Sequence, residues 1–159
     1  GDYRLKVDAS FQHPLIWNQH YQLLDIKDRR TNFADVLIHI RYGDNKFKLP
    51  FSYYEECLSK MEFDKLHIVT DEHWHPDIIA FANKHKADLC QEHVDFIKVL
   101  KWASTFNKIV LSDGTYSFLI GLLSKAEQVW CLDYDKQSDH WSGNMFTIPH
   151  WNKLSNTYF

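Results

Sequence analysis

A chain of 159 residues is long enough to bury a sizeable core, and its length favours one domain or one half of a two-domain enzyme. Hydrophobic residues at 45% and aromatics at 16% exclude an intrinsically disordered polymer. A formal net charge of -3 with no long basic run argues against nucleic acid as the main partner, so an anionic ligand would have to be met by local positive charge.

The predicted elements alternate between two periods. Tyr3 to Val7 reads as a short strand and Trp17 to Ile26 as a helix. Val36 to Ile40 is the first strong strand, and its unbroken apolar run predicts burial on both faces, as in a parallel sheet. Ser52 and Glu55 after Pro50 have the spacing of a capping box, which predicts a helix to about Met61. Leu66 to Thr70 is a second strand. Pro76 opens a helix over Asp77 to His85. Ala87 to Cys90 reads as a short strand and Asp95 to Phe106 as a helix, with Phe96, Leu100, Ala103 and Phe106 at helical spacing. Lys108 to Leu111 is a strand, Ser112-Asp113-Gly114 a turn, Thr115 to Ser124 a helix and Val129 to Leu132 a strand. The remainder reads as loop, with a closing strand near Met145 to Ile148. Strands alternating with helices predict an α/β fold with a mostly parallel sheet between two helical layers.

Cys57, Cys90 and Cys131 are widely spaced and form no Cys-x-x-Cys pair, so they read as thiols in a reducing compartment, and a cytoplasmic location is expected. No apolar run reaches membrane-spanning length, and the start has no signal-peptide pattern. Membrane association would then come through a partner or a further segment.

Three polar strand ends carry the chemistry. In an open α/β sheet the carboxyl ends of the strands face the ligand crevice. The first strand delivers His39, Arg41, Gly43 and Asp44 to that edge. Arginine suits a phosphate there because its planar fork makes paired charge-assisted hydrogen bonds, and the glycine lets the chain turn. Asp113, Gly114, Thr115 and Ser117 lie where a strand becomes a helix, and a helix N-terminus offers unpaired N–H groups and partial positive charge. Thr70 and Asp71 end the second strand, where a carboxylate accepts from a ribose hydroxyl or a base N–H. Each segment also has an ordinary structural alternative, either a surface Arg–Asp pair or a helix cap.

Asp71-Glu72-His73-Trp74-His75-Pro76-Asp77 is the densest run of metal-ligating types, but no third His or Cys follows at motif spacing, so a solvated loop before a helix is expected. The chain has no Gly-x-Gly-x-x-Gly, no P-loop and no Gly-x-Ser-x-Gly elbow.

His39-Ile40-Arg41-Tyr42-Gly43-Asp44 resembles the His-x-Arg-x-Gly-Asp motif of the α1,2-fucosyltransferase group, whose superfamily includes the α1,6- and protein O-fucosyltransferases. Leu49-Pro50-Phe51-Ser52-Tyr53-Tyr54 is similar to that group's Leu-Pro-x-x-Tyr-Tyr helix start. Ile68 to Glu72 is similar to its strand ending in Ser/Thr-Asp-Asp, and Asp113 to Phe118 to its Asn-Ser-Ser/Thr-Phe-Ser-Trp motif. Val7 to Gln12 is faintly similar to its Gly-Tyr-Phe-Gln segment.

The resemblance implies a Rossmann-like three-layer domain, the C-terminal donor-binding half of a GT-B glycosyltransferase. Residues 1–30 would be a lead-in segment and 31–159 the domain that binds a nucleotide sugar, GDP-fucose in most of the group. It implies Arg41 as the catalytic residue on the β-phosphate and the Thr115–Ser117 turn on other phosphate oxygens. His39, Asp44 and Asp71 would shape the donor pocket. It further implies an inverting reaction without a metal cofactor, a glycan acceptor, and an acceptor-binding domain upstream of this chain. The chain departs from the group at Tyr42, where many members carry a second arginine, at Phe118-Leu119 and at Asp113-Gly114. A non-catalytic nucleotide- or glycan-binding module derived from such an enzyme is the alternative. A phosphate-binding esterase or phosphatase is a third.

Overall fold

The computed structural model describes residues 31–43, 48–90, 95–133 and 148–155. The strand expected at Tyr3 to Val7, the helix at Trp17 to Ile26 and the site residue Asp44 lie outside those residues.

In chain order the elements are β1 (Asn32–Ile40), α1 (Phe51–Ser59), β2 (Leu66–Thr70), α2 (Pro76–Lys84), β3 (Asp88–Leu89), α3 (Phe96–Ala103), β4 (Phe106–Val110), α4 (Thr115–Ser124), β5 (Gln128–Leu132) and β6 (Asn152–Leu154). The strands form one six-stranded sheet in the order β3-β2-β1-β4-β5-β6, and each described pairing is parallel. This is the Rossmann-like α/β arrangement that the alternation of strands and helices predicts. β1 is central, paired with both β2 and β4, and its residues Val36 to Ile40 are all buried. That double burial is why the run carries almost no polar residue.

Right-handed crossovers put α1 and α2 over one face of the sheet and α3 and α4 over the other. Side-chain contacts agree. Phe51 of α1 packs on Phe81 of α2 with ring centroids 5.1 Å apart, and Glu55 reaches both Lys84 and His85. On the opposite face Phe96 of α3 stacks on Tyr116 of α4 at 4.4 Å. Among the described helices α4 is the most deeply buried, with every residue from Ser117 to Ser124 inside.

Four local expectations are corrected. The Ser52–Glu55 capping box does not form: Pro50 occupies the N-cap, Ser52 lies inside α1, and Glu55 is committed to α2. The α3 helix stops at Ala103, because the Ser104 and Thr105 hydroxyls donate to the Lys101 and Trp102 carbonyls and close the turn. Phe106, expected as the last helical residue, is the buried first residue of β4. The last described strand falls at Asn152–Leu154 rather than near Met145 to Ile148; Ile148 instead accepts from the Trp151 N–H in the turn before it, and 145–147 lie outside the described residues.

Candidate functional site

The direction of sheet growth reverses between β1 and β4. In open α/β sheets the crevice outside the strand ends at such a reversal is where ligands bind. Here that crevice is bounded by the end of β1 (Arg41 to Gly43) and by the turn from β4 into α4 (Leu111 to Gly114).

The end of β1 is held from both sides. The Arg41 N–H donates to Ser112 Oγ at 3.1 Å, from the β4 side. The Tyr42 and Gly43 N–H groups donate to Asp71 Oδ1 and Oδ2 at 2.8 and 3.1 Å, from the β2 side. Gly43 leaves room for two acids: a Cβ there would sit 2.9 Å from Asp71 Oδ2 and 3.1 Å from Glu72 Oε1, so those side-chain ends would have to shift.

The opposite turn is built from below by two buried tyrosines of α1. Tyr53 donates its hydroxyl proton to the Leu111 carbonyl at 2.7 Å, and the Tyr54 hydroxyl pairs with Ser112 Oγ at 2.8 Å. The Ser112 N–H donates to Ser117 Oγ at 2.7 Å, which turns the Ser117 hydroxyl into the fold. Gly114 is the N-cap of α4 with φ 105°, a conformation that strongly favours glycine. Its missing Cβ makes room for Arg41, whose guanidinium nitrogen would lie 2.6 Å from such an atom. A fixed cation therefore rests on the amino end of a buried helix that has no side-chain cap. Like charge meets like there, and both components favour an anion between or beside them.

Next to this lies a cleft of about 350 Å³, lined by His39, Val69, Thr70, Asp71, Phe96, Val99 and Tyr116. His39 is buried, edge-on to the Tyr116 ring at 5.4 Å, and its Nδ1 has no hydrogen-bond partner among the described residues. Burial drives its pKa down to about 4; the Asp71 carboxylate opposes this and the Arg41 charge adds to it. The ring is therefore neutral near pH 7. The Tyr116 hydroxyl donates to the Phe96 carbonyl at 3.2 Å, which fixes the aromatic wall opposite His39.

Of the residues picked out by sequence, His39, Arg41, Gly43, Thr70, Asp71 and Gly114 gather around this crevice. Thr115 is the first residue of α4, and Asp113 sits half-buried in the turn. Ser117 is inside, its oxygen serving the turn. Asp71 spends an oxygen on each of two backbone donors, so it clamps the end of β1. Sequence reasoning missed Tyr53, Tyr54, Phe96, Val99 and Tyr116 as site-builders. The adjacent tyrosines carried a signal, because two large hydroxylated rings on one buried helix need buried acceptors. Phe96 and Val99 gave none beyond helical spacing.

The acidic and histidine-rich run after β2 has a structural use. His75 is the N-cap of α2, and its Nδ1 accepts the Asp77 N–H at 3.1 Å. Among the described residues no three His, Cys, Asp or Glu side chains are grouped to hold a metal ion, and no helix is long and apolar enough to cross a membrane. No protein-family model, curated protein or solved structure matches the chain.

Proposed function

We propose that this chain is the donor-binding domain of a fucosyltransferase-like glycosyltransferase, binding a nucleoside-diphosphate sugar with GDP-fucose as the first candidate. One observation carries the reading: the Arg41 guanidinium lies on Gly114 at the amino end of α4, at the reversal point of the sheet. The ordered resemblance of four segments to the fucosyltransferase group supports the same ligand. In the reaction an acceptor hydroxyl attacks the anomeric carbon and displaces the nucleoside diphosphate. Negative charge then grows on the β-phosphate, where Arg41 and the α4 N–H groups would stabilise it; removing one such donor typically costs about 10²–10³ in rate. The cleft beside His39 would take the nucleoside. The three free thiols suit a cytoplasmic site of action.

The test is calorimetry with GDP, GDP-fucose, UDP and inorganic phosphate, followed by product analysis with neutral glycans. Tight GDP binding and transfer of the sugar are expected, whereas binding of phosphate alone would turn the reading toward an esterase or phosphatase. Tyr42 favours a second reading, binding without turnover. It stands where a second arginine is common, and its hydroxyl is tied to Asp77 at 2.7 Å. GDP-fucose binding with no transfer and no hydrolysis would select that module.

A further inference from the structure

Beyond Asp71, which clamps the end of β1, the turn between β2 and α2 presents a large aromatic to solvent. Trp74 is 71% exposed, whereas most large apolar side chains among the described residues are buried. The turn that carries it is not loose. The Glu72 N–H donates to Thr70 Oγ1, the His75 N–H to the Glu72 carbonyl at 3.0 Å, and the Asp77 N–H to His75 Nδ1. Because Nδ1 of His75 is used as an acceptor, the neutral ring carries its proton on Nε2. That side chain is 37% exposed, and its ring is set edge-on against Tyr42 at 4.6 Å. A turn held by these bonds therefore offers an exposed indole, whose ring has the His73 ring tilted against it at 4.8 Å, an imidazole N–H donor, and the carboxylate of Glu72 on the side of Gly43. It lies directly after Asp71, which lines the cleft.

Those three groups match one ligand chemistry. A pyranose ring has an apolar C–H face that packs on an aromatic and a rim of hydroxyls that both donate and accept. The acids Asp71, Glu72 and Asp77 around the turn disfavour a negatively charged glycan. We propose that the Glu72–His75 turn is a subsite for a neutral sugar of the acceptor, stacked on Trp74 and hydrogen-bonded by His75 and Glu72. This rests on the glycosyltransferase reading, and it adds an acceptor contact within the chain that binds the donor.

The experiment follows the indole N–H signals of the ¹⁵N-labelled chain, with the Trp74 signal identified by its loss in Trp74→Phe. Lactose and cellobiose are titrated into the millimolar range, with N-acetylneuraminate as the anionic control. The expected result is that a neutral disaccharide moves the Trp74 signal and the anionic sugar does not. Trp74→Ala should then weaken that binding about tenfold or more while GDP affinity stays unchanged. A Trp74 signal unmoved by both neutral sugars, or unaltered affinity in Trp74→Ala, overturns the subsite. Failure of GDP to bind while Trp74 still responds to the disaccharide would instead sink the donor-domain reading and leave the sugar subsite standing.

Discussion

At the scale of single residues, Arg41 lies against Gly114, the N-cap of α4, which brings no side-chain cap, so a guanidinium and a helix amino end adjoin at the crevice. Arg41→Ala should weaken GDP binding by about 1.5–3 kcal/mol with the fold retained. Calorimetry on a variant with an unchanged circular dichroism spectrum checks this, and equal affinity would remove Arg41 from the site. His39 makes a prediction of the opposite kind, about protons. Its native pKa is about 4, below the ordinary 6.5 expected when unfolded. Above pH 6.5 neither state binds the proton and His39 adds no pH dependence. Between about 4 and 6.5 only the unfolded state is protonated, so stability falls as pH falls, by up to about 3 kcal/mol. Below about 4 both states bind the proton and the loss levels off. Urea titrations from pH 7 to pH 4 should show this slope, and His39→Leu should flatten it; an unchanged slope in the variant would refute the assignment.

At the scale of elements, the strand–turn–helix unit of β4 and α4 separates a capping role from a binding role. The N-cap is Gly114, and Thr115 is the first residue of the helix that the proposed diphosphate would meet. Under that proposal Thr115→Val should cost GDP affinity about 0.5–1.5 kcal/mol, the worth of one hydrogen bond, and lower the unfolding midpoint less. A fall in stability with affinity intact would assign the hydroxyl to the fold alone. The same unit shows what was legible. The bounds of β2 and α4 follow from sequence because each is fenced by residues with one reading: the polar Asp71 after Thr70, and Gly114 before Thr115. The α3–β4 junction was not legible, since Phe106 satisfies helical spacing and strand burial equally and the choice falls to the side-chain bonds of Ser104 and Thr105. The capping box was illegible for a similar reason: Glu55 has partners on another helix that local spacing does not reveal. For the candidate site, the gathering of three polar strand ends could be foreseen from strand polarity. The inward turn of Ser117 could not, because it depends on a backbone donor five residues away.

For the whole molecule, the strand order sets which loops meet. Growing outward from β1 to β3 and then restarting at β4 leaves the ends of β1 and β4 adjacent with their helices on opposite faces, and the crevice is a by-product of that order. Among the described residues the positive charge at the crevice comes from Arg41 and the amino end of α4, and the proposed donor site needs no metal beside them. GDP affinity should accordingly be the same in EDTA as in magnesium. A large loss on chelation would redirect attention to Asp71, His73 and His75. The residues just past β1 extend this reasoning to time. Arg41, Tyr42 and Gly43 lie outside the strand ladder, yet all three N–H groups are tethered, one to Ser112 and two to Asp71. Their protons should exchange with solvent deuterium at rates typical of a strand rather than of an open loop, even without ligand. Asp71→Asn should speed exchange at Tyr42 and Gly43 but leave Arg41 slow. A ligand arriving at the crevice would then meet a backbone already in place.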